Sequence, residues 1–207
     1  MNRVFTLSVC FIYIIYTIIL ISVKKTASKR QKLKNLEEVI DPYAKKDSII
    51  LFLLIIFEVI LLTFYILKIP FIHRFDFKIP IIFRYLGIVL GSLGLSLIGW
   101  ASYILDGEFS ETIELKENHR LITKGPYHYI RHPIYSGFIL MHLGVTIALS
   151  NILIFFIFNL GLAILLIERI PKEEKVLSAY FGLQWEEYCN KTGRFLPKKI
   201  KKEKKIN

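Results

Sequence analysis

The chain has 207 residues, 54% of them hydrophobic, with two cysteines and a formal net charge of +11. A soluble domain is usually about 45–50% apolar, so this composition argues against an ordinary water-soluble enzyme, and two cysteines argue against a disulfide-built scaffold. The basic excess taken alone would suit nucleic acid, but its distribution along the chain points to an anionic membrane surface.

The apolar residues come in blocks. Phe5–Val23 has no charge in 19 residues, Ser48–Leu67 is interrupted only by Glu58, and Tyr85–Leu105 is again uncharged. About 20 apolar residues cross a bilayer as a helix, so these three are expected spans. Tyr135–Leu149 and Ile152–Ile167, joined by Ser150-Asn151, are shorter, at roughly 22–24 Å. They read as a tight antiparallel hairpin, extended by flanking residues or lying where the bilayer is thinned. The expectation is an all-α integral membrane protein with about five transmembrane helices. It forms one domain over residues 1–197, with a core at about 84–197 and a basic, disordered tail over 198–207.

The first block is too long for a signal-peptide core and lacks a small-x-small cleavage site after it. It reads as a helix over Val4–Val23 without a polar stripe, at the periphery of the bundle. A basic loop over residues 24–46 follows, with Asp41-Pro42 as a turn before the second helix. Glu58 lies near the middle of that helix. An ionisable group at bilayer depth is costly, and it reads either as functional or as a paired group that joins helices. Pro70 and Pro80 flank a short aromatic stretch with His73 and Arg74, expected at the outer interface. Gly87, Gly91, Gly94 and Ile98 share one face of the third helix, a small-residue surface for close helix packing. Trp100 and Tyr103 suit the inner interfacial belt. Asp106-Gly107 then turns the chain into a segment, 108–124, expected to be extended or irregular.

Residues 117–137, ENHRLITKGPYHYIRHPIYSG, form the longest polar and aromatic run between two apolar blocks. Gly125-Pro126 marks a turn, and Pro133 can open a helix as its first residue. Such a loop could be a simple interfacial anchor, but the order of its residues suggests more. Downstream, Pro171 disfavours helix at Ile170 and is expected to start a new one, with Glu173 and Glu174 in its first turn. Val176, Leu177, Tyr180 and Phe181 give an apolar stripe, Gly182 ends it, and Trp185 and Tyr188 continue a short amphipathic piece.

Lys and Arg are distributed unevenly. Eight lie in residues 24–46, four in 106–134 and eleven in 168–207, so 23 stand against Arg3, Lys68, Arg74, Lys78 and Arg84. The positive-inside rule then places the N-terminus outside and the C-terminus in the cytoplasm. Cys10 and Cys189 sit on different segments, so neither a disulfide nor a metal site is implied. No nucleic-acid partner and no obligate protein partner is indicated, and no GxGxxG, P-loop or HExxH motif is present.

Two separated patterns line up. The first is His119-x-Leu121-Ile122-x-x-Gly125-Pro126-Tyr127, followed by Arg131-His132-Pro133-x-Tyr135-x-Gly137. The second is Arg169-x-x-x-Glu173-Glu174, followed by Phe181-Gly182, Tyr188 and Phe195-Leu196-Pro197. In this order, bridged by a helical hairpin, they resemble the isoprenylcysteine carboxyl methyltransferase family, within the wider group that includes phospholipid N-methyltransferases. The resemblance covers residues 84–197. It implies a membrane enzyme using S-adenosyl-L-methionine in a cytoplasmic pocket formed by the loop before the fourth helix and the C-terminal helices. A lipophilic substrate would enter sideways between membrane helices, most simply an isoprenylcysteine-type carboxylate. The cofactor positions carried over are His119, Arg120, Leu121, Ile122, Tyr127, His132, Pro133, Ile134, Tyr135 and Glu173. Thr112 falls at a further contact whose residue type is not matched firmly. Arg169 falls where the substrate carboxylate is held, and Arg169 and Glu173 are the implied catalytic pair.

The chemistry suits these residues. A carboxylate nucleophile has no proton to lose, so the enzyme's tasks are orientation and exclusion of water. Arg169 can hold a carboxylate by charge-assisted hydrogen bonds. Glu173 can accept from the cofactor's ammonium or ribose, while His132 and Tyr135 are expected to donate from the helix start. A break at Pro171 would separate Arg169 from Glu173. Three other readings stay open: methylation of a phospholipid amine, with His119 or Glu174 as base; a nicotinamide-dependent lipid reductase; and a non-enzymatic membrane protein.

Overall fold

The computed structural model describes residues 2–34, 44–105 and 121–198, with side chains over 3–22, 53–105 and 121–198. These residues form seven α-helices: α1 (Asn2–Lys34), α2 (Ala44–Ile66), α3 (Pro70–His73), α4 (Ile81–Leu105), α5 (Pro133–Leu149), α6 (Ile152–Phe181) and α7 (Leu183–Lys191). Among the described residues, α1, α4 and α6 are long and apolar enough to cross a membrane, while Leu53–Ile66 and α5 are shorter apolar helices. The described residues are thus helical throughout their regular structure, as a multi-pass integral membrane protein requires.

Helix α1 has a polarity that its composition hides. Phe5, Val9, Ile12 and Tyr16 are buried, whereas Leu7, Phe11, Ile14 and Ile18 are exposed. The spacing of the buried set is helical, so one stripe joins the core and the opposite face remains apolar for lipid. The helix also continues through Lys34, correcting the expectation of a loop from residue 24.

The tightest packing is between α4 and α5, and glycine causes it. A Cβ on Gly94 would lie 2.5 Å from the Met141 nitrogen and 2.6 Å from the Gly137 oxygen, and one on Gly144 would lie 2.2 Å from the Gly91 nitrogen. The two backbones touch, which no residue with a side chain would allow. The glycine face of α4 is therefore a packing surface. Arg84 fastens the far end: its Nε donates to the Ala148 carbonyl at 2.8 Å and its guanidinium lies 4.0 Å from the Phe5 ring centre.

The α5–α6 turn follows the sequence. Ser150 adopts φ 57°, and Asn151 caps α6 by accepting from the Ile154 amide at 3.0 Å. The Asn151 amide also donates to Ile72 and Asp76, which ties the α3 region to this turn. Glu58 takes the paired option, 3.2 Å from His142 of α5.

At Pro171 the structure overturns an expectation. Helix α6 runs unbroken from Ile152 to Phe181 with Pro171 inside it. Proline removes one backbone donor and crowds the preceding turn. Here the cost is offset by anchoring on both sides: Arg169 and Ile170 are buried, and Glu173 and Glu174 bond to α5 and its approach. Gly182, at φ 51°, ends the helix as expected.

Candidate active site where α5 begins and α6 ends

Because α6 is continuous, Arg169 and Glu173 lie one turn apart on the same face. Pro133 opens α5 and sets Tyr135 across from them. The Tyr135 hydroxyl donates to Glu173 Oε2 at 2.7 Å and accepts from Arg169 Nε at 2.9 Å. One phenol thus bridges a guanidinium and a carboxylate. The His132 ring stacks on Tyr135, with centroids 5.5 Å apart and planes 21° from parallel. Leu162, Leu166 and Ile170 form an apolar floor against Tyr135, Ile139 and Phe195.

A second set of contacts holds this centre. Glu174 Oε1 accepts from His132 Nε2 at 3.1 Å, Arg131 Nε at 3.2 Å and Arg194 Nε at 3.1 Å, and its Oε2 accepts from Arg194 Nη2. Arg131 Nη1 also donates to the Thr192 carbonyl at 2.7 Å. The Arg131 and His132 amides donate to the Gly193 and Arg194 carbonyls at 2.8 and 3.1 Å, and Ser136 Oγ donates to the Phe195 carbonyl at 3.0 Å. The segment Thr192–Phe195 is thereby zipped to the approach to α5. Gly193 is required in this zip, since a Cβ there would lie 1.8 Å from the Leu196 oxygen. The Tyr188 hydroxyl closes the neighbouring side by donating to the Tyr127 carbonyl at 2.7 Å.

Electrostatics follow this geometry. Burial pushes the Tyr127 phenol well above its ordinary range, and the negative Glu173 and neighbouring Tyr188 add to the effect. Tyr127 is thus a neutral aromatic wall. Burial also raises the Cys189 thiol, making it a poor nucleophile. The hydrogen bond to Glu174 raises Arg194 further.

Of the residues expected at the site, the structure brings together Tyr127, His132, Tyr135, Arg169 and Glu173. Pro133 and Ile134 are buried in the first turn of α5, and Ile134 packs with Ala101, Tyr127 and Ile122. Leu121 is half-buried at the edge of the described chain. Thr112, His119 and Arg120 lie outside the described residues.

His132 and Tyr135 both donate within the chain, to carboxylates of α6. The Tyr135 hydrogen goes to Glu173, and the His132 Nε2 hydrogen goes to Glu174, because a carboxylate can only accept. The sequence reading also missed Arg131, Glu174, Thr192 and Arg194 as the support of the site. Glu174 had been given one chemical role, as a base for an amine acceptor, a task for which a carboxylate already holding three side chains is poorly placed. The signal available was the Glu173-Glu174 pair itself: adjacent helical residues point about 100° apart, so the two had to serve different neighbours.

Comparison with known proteins follows the same lines. Residues 86–179 match the model of the isoprenylcysteine carboxyl methyltransferase (ICMT) family. A probable protein-S-isoprenylcysteine O-methyltransferase of Oryza sativa subsp. indica is 36% identical over 115 residues, which cover 55% of this chain and 60% of that protein. The protein-S-isoprenylcysteine O-methyltransferase of Schizosaccharomyces pombe is 37% identical over 91 residues, covering 43% of this chain and 39% of that protein. The match thus spans less than two thirds of each relative's length. A solved structure of the eukaryotic intramembrane Ras methyltransferase ICMT superposes with a TM-score of 0.53 at 25% identity, covering 77% of this chain and 54% of that one.

Proposed function

We propose, from a core whose residues 86–179 match the model of the isoprenylcysteine carboxyl methyltransferase family, that this chain is a membrane enzyme methylating the carboxylate of a lipophilic, isoprenylcysteine-type acceptor with S-adenosyl-L-methionine. The observation that carries the reading is the Arg169–Tyr135–Glu173 bridge at one end of two apolar helices. It sets a cation for an acceptor carboxylate beside an anion for a cationic cofactor.

The residues present fit such a cofactor. It carries a sulfonium, an ammonium, ribose hydroxyls and a purine, and when bound it supplies an electrophilic methyl group. Glu173 suits the cationic part, Tyr127 and Tyr135 offer aromatic faces to a sulfonium, and the apolar wall of Ile122 and Ile134 suits a purine. His119, Arg120, Leu121, Pro133 and, less firmly, Thr112 complete the proposed set. Arg169 orients the acceptor carboxylate. Buried residues around the bridge exclude water, which strengthens each of these interactions. No base is needed, which agrees with Glu174 being engaged elsewhere.

The site, the C-terminus and the loop before α5 are proposed to face the cytoplasm. Helix α2 and helix α5 are proposed to cross the membrane with α1, α4 and α6, giving five spans in one domain over residues 1–197.

The test is calorimetric binding of S-adenosylhomocysteine to detergent-purified protein, followed by methyl transfer to a prenylcysteine analogue and to a phospholipid amine. Micromolar binding is expected for the native chain, weakened about tenfold in Glu173→Gln, the typical loss of one hydrogen bond to a charged group. Arg169→Ala is expected to bind the product normally and to lose most transfer to the carboxylate. Absence of binding by folded native protein would remove the cofactor assignment, and transfer to the amine alone would remove the acceptor assignment.

A further inference from the structure

Glu174 is a meeting point for three segments: the approach to α5, the end of the α6 membrane helix and the segment after α7. Its carboxylate receives Arg131, His132 and Arg194. Two guanidinium groups at hydrogen-bond distance favour its charged form. A charged carboxylate only accepts, so His132 carries a hydrogen on Nε2. In the neutral imidazole the other nitrogen is then an acceptor. Among the described residues, the ring's hydrogen bond is the one at Nε2, and His132 makes no side-chain cap to α5 through Nδ1. The ring is fixed by its stack on Tyr135 and by Phe195, whose centroid lies 6.4 Å away.

We infer that Glu174 is a positioning residue that locks His132 as the Nε2–H tautomer, so that Nδ1 meets the bound cofactor as a hydrogen-bond acceptor for one of its hydroxyl or ammonium donors. The inference rests on the methyltransferase reading of this site and adds to it a residue and a direction of hydrogen bonding. It also gives the Thr192–Phe195 segment, which lies beyond the family match, a part in cofactor binding. Arg194 neutralises the outer oxygen of Glu174, and the backbone zip holds Arg131 and His132 in register with it. Glu173 and Glu174 then divide the work: the first faces Tyr135 and Arg169, the second faces His132.

The test uses full-length protein labelled with 15N-histidine in detergent micelles. The His132 ring signals are identified by their loss in His132→Asn. The native chain is expected to show His132 as the Nε2–H tautomer, and Glu174→Gln a mixture of the two. Glu174→Gln is expected to bind S-adenosylhomocysteine about tenfold more weakly, as for loss of one charge-assisted contact. Glu174→Asp is expected to recover most of that loss, with the acceptor KM unchanged in both. A native Nδ1–H tautomer would overturn the inference, as would unchanged affinity in a folded Glu174→Gln protein. If Glu174→Gln fails to fold, Arg194→Ala, on the exposed rim, reads the same arm. A weaker affinity together with a shifted His132 signal there supports the inference, and no change in both overturns it. Failure of the native chain to bind S-adenosylhomocysteine would instead refute the methyltransferase reading, while the tautomer measurement would still stand.

Discussion

Tyr135 is the residue on which the bridge depends, because its single hydroxyl both donates and accepts. Replacing it by phenylalanine keeps the ring that stacks on His132 and removes only the link between Arg169 and Glu173. Tyr135→Phe is expected to fold normally and to lower kcat/KM about tenfold, the scale of one charge-assisted hydrogen bond. Both cofactor affinity and acceptor KM should move, since both charged partners lose their tether. Steady-state kinetics beside a thermal melt check this, and unchanged kinetics would show that the bridge is incidental. The residues themselves were legible in the sequence through the resemblance of its two motifs, though the expected break at Pro171 would have separated Arg169 from Glu173. The hydrogen-bond directions were not, because they depend on which acceptor each donor meets across elements 34–42 residues apart.

At the scale of elements, α6 shows how tertiary contacts decide a local conflict. Pro171 opposes helix, yet the chain stays helical for ten residues beyond it. Pro171 is exposed while Arg169 and Ile170 before it are buried. Its ring therefore contributes little packing, and an alanine there would restore a backbone donor. Pro171→Ala is expected to raise the unfolding free energy by roughly 1–3 kcal/mol and to leave S-adenosylhomocysteine affinity within about twofold, the change expected when no ligand contact is removed. Thermal unfolding in one detergent would measure it, and a destabilised variant would show that the proline ring itself is needed. The α4–α5 contact is the opposite case. Gly87, Gly91 and Gly94 announced it, because close backbone approach is what this spacing permits. Its partner surface, Gly137, Met141, Gly144 and Ala148, was visible only once the helices were placed.

For the whole molecule, the charge distribution makes a prediction that packing does not address. With 23 basic residues in segments 24–46, 106–134 and 168–207 and five elsewhere, a reporter fused after Asn207 is expected to read cytoplasmic, as is one placed at the loop before α5. A reading on the opposite side would invert the assignment and place the site outside.

The sequence by itself determined the class of molecule, since block hydrophobicity can be met only by helices in lipid. It also determined the glycine packing face, the α5–α6 turn and the helix stop at Gly182, because local chemistry or short spacing dictates each. Only the tertiary structure decided that α6 continues through Pro171, that α1 extends to Lys34 with one stripe in the core, and that Glu58 is paired with His142. It also decided that Glu174 joins three segments behind the site. These outcomes share one physical reason. Each is a balance between a local preference and contacts with residues distant in sequence, and the distant term is fixed only when the helices pack.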